Sequence, residues 1–100
     1  MDGSAERRIE LTIGKIIDKV SMPALYAMLA EEAAELAHAA CKAFRYTEGS
    51  NPTPLTSDDI YDMLIEEFSD VALIADILGI RPDENIMQAK MQRWEERLSD

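Results

Sequence analysis

The sequence predicts an all-α protein, and three features carry that expectation. Ala, Leu, Ile and Met dominate the apolar residues, with only two Phe and one Trp, a composition that suits helices better than sheet. The apolar positions recur at three- and four-residue intervals instead of alternating. Breakers gather in a few places, around Pro23, between Thr47 and Ser57, and from Gly79 to Pro82, so the chain divides into four helical segments. One hundred residues make a single domain, 1–100. A four-helix bundle is the expected architecture, with the second and third helices forming a central antiparallel hairpin. At this size helical chains often gain burial by self-association, so a homo-oligomer is expected.

The first helix starts near Ser4, and Ile9, Ile13, Ile16, Ile17 and Val20 recur along it at helical spacing. Gly14 weakens it slightly and reads as a packing layer. Ser21-Met22-Pro23 closes that segment and opens the next, since Ser caps well and Pro suits a first helical position. The second helix is expected from about Pro23 to Arg45 or Tyr46. Thr47 to Ser57 holds two Pro and a Gly and reads as the longest loop, either a plain connector or a mobile lid. Thr56 with Asp59 forms a capping box for a third helix that runs to Leu78 and stops at Gly79. Pro82 then opens a fourth helix, with Asp83 and Glu84 in its first turn, where the helix dipole favours acids. Ile86, Met87, Met91 and Trp94 give this helix an apolar side. Lys90, Arg93 and Arg97 gather basic charge toward its end, as dipole complement or as phosphate contacts.

The second helix carries an anomaly. At ~100° per residue, Leu25, Leu29, Leu36 and Ala43 fall within roughly a quarter turn. Glu32 lies in the middle of that stripe and Glu35 on its edge, although an amphipathic helix ordinarily keeps Glu on the opposite face. The anomaly repeats, because Ile60–Val71 aligns without a gap on Leu25–Leu36, with identities at Tyr26/Tyr61, Met28/Met63, Leu29/Leu64, Glu31/Glu66 and Glu32/Glu67. Asp70 matches Glu35. Two helices thus present an acidic i, i+3 pair at the same place on an apolar face, and an antiparallel hairpin brings the four carboxylates together. Acids on a buried side need neutralisation, and a divalent cation supplies it. Oxygen ligands without His or Cys select Mg²⁺ or Mn²⁺ over zinc.

A formal charge of −10 opposes binding of a nucleic-acid polymer, which is held by an excess of Lys and Arg. It does not oppose a free nucleotide that arrives with Mg²⁺ on its phosphates. The single Cys41 excludes an intramolecular disulfide or a cysteine metal cluster and reads as packing or surface. His38 points away from the acidic stripe and reads as a surface residue. With no signal peptide and no apolar run long enough for a bilayer, a cytoplasmic location without membrane contact is expected.

With Glu31-Glu32-Ala-Ala-Glu35 and Glu67-Phe-Ser-Asp70 on successive helices, the chain resembles the MazG-like all-α nucleoside triphosphate pyrophosphohydrolase superfamily, whose signature is EExxE followed after a loop by ExxD. Leu78-Gly79-Ile80, Glu84-Asn85-Ile86, Lys90-Met91 and Arg97 are similar to that family's closing segment, so the resemblance covers roughly residues 25–97. It implies Mg²⁺-dependent cleavage of a (deoxy)nucleoside triphosphate to the monophosphate and pyrophosphate, in house-cleaning of non-canonical or excess deoxynucleotides. By position it implies Glu32, Glu35, Glu67 and Asp70 as metal ligands, Glu31 as an auxiliary ligand or water-orienting residue, and a substrate-binding role for Lys90, Trp94 and Arg97. It also implies a homodimer or a homotetramer built as a dimer of dimers. Trp94 stands where related chains often have Asn, and Glu66 adds a carboxylate beside the second motif. Two alternatives share the acidic pattern: a phosphoribosyl-ATP pyrophosphohydrolase, and a non-catalytic acidic helical interaction module.

Overall fold

The computed structural model describes residues 3–51 and 54–99. They form four helices and no strand: α1 Gly3–Lys19, α2 Met22–Glu48, α3 Ser57–Ile77 and α4 Glu84–Leu98. The expected all-α class holds for the described residues. Pro52 and Thr53, within the expected loop, lie outside them.

Local chemistry sets the ends of each helix. Ser21 caps α2, its hydroxyl accepting from the Ala24 N–H at 3.2 Å. At the far end α2 runs slightly beyond the expected Tyr46. Gly49 takes a left-handed φ of 83° and the Ser50 N–H reaches back to the Arg45 carbonyl, closing the helix with a backbone turn that favours glycine. The Thr56 capping box forms as expected: the Asp59 N–H donates to the Thr56 hydroxyl at 3.1 Å, and the Thr56 N–H donates to the Asp59 carboxylate at 3.0 Å. Gly79 (φ 74°) ends α3 in the same way as Gly49 ends α2, with the Ile80 N–H on the Ala75 carbonyl. The start of the fourth helix also differs. Pro82 precedes it, and Asp83 is the cap, accepting from the Ile86 N–H at 2.9 Å.

The core is the α2–α3 hairpin. Leu25, Ala39, Ile60, Ile74 and Ile77 are its buried apolar residues; the first four lie on the two stripes set by helical periodicity, and Ile77 lies past the edge of the second. The helices run antiparallel, since Glu32 faces Asp70 while Glu35 and Ala39 share a pocket with Glu67 and Met63. Leu25 and Ile77 lie at matching distances beyond the acids, so the hairpin closes on apolar contacts at the end away from its loop. α1 touches α3, and Gly14 has open space where its side chain would be, so within one chain it is not the expected packing layer.

α4 is different, because every described residue of it is exposed. The four helices therefore do not enclose a common core within one chain. The radius of gyration is 17.8 Å, against about 13 Å for a compact chain of this length. Among the described residues no helix is long and apolar enough to cross a membrane.

Candidate metal centre

Two turns of helix build the site. On α2, Glu32 is half-buried between Leu29 and Leu36, which share its partial burial; on α3, Glu67 is half-buried between Leu64 and Val71 in the same relation. One turn further on each helix stand Glu35 and Asp70. Because the pairs occupy corresponding positions on facing antiparallel helices, their carboxylates converge. Glu32, Glu35, Glu67 and Asp70 each offer an oxygen, and these oxygens lie within 4.8 Å of one another. Glu35 is the exposed member, and the other three are half-buried.

Among the described residues no cation forms an ion pair with these acids. Among the described residues the ion pair is Arg81–Asp76, at 3.4 Å and well exposed, and it involves none of the four acids. Glu32 is consequently harder to ionise than an ordinary glutamate. Burial is the largest cause, followed by the charges of Glu35 and Asp70, hydrogen bonding to Glu35 and the charge of Glu67. Glu67 shifts the same way, through burial first, then the charge of Glu35 and a hydrogen bond to it, then Asp70 and Glu66. Each of these raises the acid's pKa, because each disfavours the charged form.

One oxygen of each central acid carries the sharper signal. Glu32 Oε2 and Glu67 Oε2 are both buried and have no hydrogen-bond partner. Buried carboxylate oxygens ordinarily find a partner, so these two fit ligands to something outside the polypeptide. The donor set is all carboxylate oxygen, which suits a hard divalent cation. Opposite oxygens around Mg²⁺ stand about 4.1 Å apart, so the 4.8 Å span closes onto one ion with small side-chain adjustments. The four residues fit a metal ion.

The structure brings together the four acids expected as ligands and leaves the other expected site residues apart. Glu31 and Glu66 are exposed, each one position outside the cluster. Lys90, Trp94 and Arg97 are exposed on α4, and none of them lines the acidic pocket of the same chain. His38 corrects the sequence reading. It is exposed, but it does not point away from the acids: it lines a pocket of about 330 Å³ with Glu35, Ala39, Lys42, Met63 and Glu67. Lys42, half-buried in that pocket, was not singled out by sequence. Its signal was a seven-residue interval from Glu35, which returns to the same helix face. Cys41 is a free, exposed thiol.

No protein-family model, curated protein or solved structure matches the chain.

Proposed function

We propose that this protein is a Mg²⁺-dependent nucleoside triphosphate pyrophosphohydrolase of the MazG-like kind, converting a (deoxy)nucleoside triphosphate to the monophosphate and pyrophosphate. The observation that carries this reading is the convergence of Glu32, Glu35, Glu67 and Asp70 from two helices, with two buried oxygens lacking any partner. The EExxE and ExxD spacing supports it as a resemblance. Mn²⁺ fits the same oxygen donors. House-cleaning of non-canonical or excess deoxynucleotides is the role that the resemblance attaches to this chemistry.

In this reading the four acids hold the cation and, through it, the substrate phosphates. Held by these four acids, a divalent cation would supply neutralisation of phosphate charge and would make a water on it more acidic. Phosphoryl transfer asks mainly for positioning and charge neutralisation, so no nucleophilic side chain is required. The apolar flanks of Glu32 and Glu67 limit water around these carboxylates and strengthen their hold on a cation. Glu31, exposed beside the cluster, is assigned as an auxiliary ligand or as the residue that orients the attacking water. Substrate contacts from Lys90, Trp94 and Arg97 belong to the same proposal and require α4 of another copy, since α4 stays clear of the acidic pocket of its own chain.

That requirement agrees with the surface. The chain exposes 8326 Å², whereas a compact folded chain of 11.2 kDa exposes about 5,700 Å². The excess of about 2,600 Å² per chain is what an obligate homo-oligomeric interface covers. Met87, Met91, Trp94 and Leu98 form an exposed seam on α4 at the spacing by which paired helices interlock. A groove of about 1,120 Å³ beside it, lined in part by Phe68, Leu73 and Ile80, continues the apolar surface. A second copy is the fitting occupant, because Lys90, Arg93 and Arg97 on α4 complement a chain whose net charge is −10. The proposed assembly is a homodimer or homotetramer.

Pyrophosphate release from a panel of nucleoside triphosphates, with and without Mg²⁺, tests the activity. A phosphoribosyl-ATP pyrophosphohydrolase would act on that substrate alone, and a non-catalytic interaction module would release no pyrophosphate from any of them.

A further inference from the structure

The pocket that holds Glu35 and Glu67 has a second wall, which the proposed chemistry does not yet use. Lys42 lies on it, half-buried, with His38, Ala39 and Met63 beside it. An ammonium facing a pocket with two carboxylates would ordinarily pair with one of them, yet no ion pair or hydrogen bond of Lys42 exists among the described residues. The geometry accounts for this. Lys42 follows Glu35 by two turns on one face of α2, about 10 Å along the axis. Helical side chains lean toward the N-terminus, so Lys42 leans toward the acids without forming an ion pair with them. The pocket, of about 330 Å³, therefore has a negative end at Glu35 and Glu67 and a positive end at Lys42, and Glu32 and Asp70 complete the carboxylate cluster behind the negative end.

We propose that Lys42 binds a phosphate group of a polyphosphate ligand whose neighbouring phosphate is held through the cation by Glu32, Glu35, Glu67 and Asp70. This rests on the metal-site reading above and adds a protein contact for the part of the ligand that extends beyond the cation. An elongated anion that already carries a divalent ion satisfies both ends at once. A metal ion alone leaves the ammonium unused, and a simple anion alone is repelled by the acids. Lys suits the task because its ammonium is a compact charge on a flexible stem that reaches phosphate without demanding a fixed plane. Lys42 is on the same chain as the acids, so this contact does not depend on assembly.

The test is calorimetric titration of the whole protein, first with Mg²⁺ alone and then with inorganic tripolyphosphate in saturating Mg²⁺, for wild type, Lys42→Met and Lys42→Arg. A hydrogen bond between charged groups predicts tripolyphosphate affinity weakened about tenfold or more in Lys42→Met. Lys42→Arg should keep most of the affinity, and Mg²⁺ affinity should stay within about twofold across the three, since Lys42 touches none of the ligands. Tripolyphosphate affinity unchanged in Lys42→Met overturns the proposal. So does Mg²⁺ binding that tightens in Lys42→Met while tripolyphosphate binding stays the same, for that is the behaviour of a mere counter-ion to the acids. A wild type that binds no Mg²⁺ overturns the metal-site reading itself, and the Lys42 assignment falls with it.

Discussion

Replacing Met91 by Glu should take the protein apart into single chains. Met91 is 70% exposed in one chain and Trp94 67%, so the seam on α4 offers more than half of its apolar surface to a partner. Covering one Met side chain is worth about 1.5–3 kcal/mol. In a symmetric pair both copies lose that contribution, and each must also place a carboxylate against an apolar surface. The two losses from burial alone weaken association by roughly 10²- to 10⁴-fold. Sedimentation equilibrium reads the change in mass, and the protein offers a second, local probe. Trp94 is the only tryptophan and lies one turn from Met91, so its emission reports on the seam itself. Wild type at micromolar concentration should sediment as a multiple of 11.2 kDa with the blue-shifted emission of a covered indole. Met91→Glu should give the 11.2 kDa species with red-shifted emission. A wild type that sediments as a folded single chain, or a Met91→Glu variant that associates as tightly as wild type, would refute the reasoning from uncovered surface.

Three further outcomes are expected. Glu35→Gln and Asp70→Asn each remove one of four mutually repelling charges with little change of shape, so each should raise the melting temperature of the metal-free protein while abolishing Mg²⁺-induced stabilisation; melting curves with and without Mg²⁺ check both. The pKa values of Glu32 and Glu67 are raised above the ordinary 4.5 in the folded state, so their contribution to metal-free stability is fully present below about 4.5 and is lost as pH rises through the raised values. Denaturant midpoints without metal should therefore fall as pH rises above about 4.5, and saturating Mg²⁺ should flatten that fall. Leu25 is 1% exposed at the closed end of the hairpin, so Leu25→Ala should cost about 2–5 kcal/mol in urea unfolding; a loss under about 1 kcal/mol would mean that this end of the hairpin is not packed as described.

The hairpin and its acids were legible in the sequence because they break a rule twice. Glu32 and Glu67 interrupt apolar stripes, and a stripe fixes which face turns inward whatever the partner is, so Leu25 and Ile60 are placed inside and the acids beside them. Caps were legible for the same local reason: Ser21, Thr56 and Gly79 act on backbone groups only a few residues away. The start of α4 was misplaced by one such local choice, since Pro82 and Asp83 are both good initiators and the Asp carboxylate takes the cap. The seam on α4 shows where the reading stopped. Its periodicity says that Met87, Met91 and Trp94 share a face, but not whether their own chain covers that face, and their own chain does not. Lys42 carries no signal on the apolar stripe, and His38 is exposed as expected but not turned away from the acids, because the pocket extends past the edge of the stripe along α2.

The most direct test of the central claim is pyrophosphate release by wild type, Glu35→Gln and Asp70→Asn across the ribo- and deoxyribonucleoside triphosphates, with Mg²⁺ and after chelation. The four-carboxylate site predicts that wild type releases pyrophosphate and the nucleoside monophosphate only when Mg²⁺ is present, and that each variant loses this activity while remaining folded. Release that persists after chelation, or in either variant, would contradict it, as would a folded, Mg²⁺-loaded wild type that leaves every triphosphate intact.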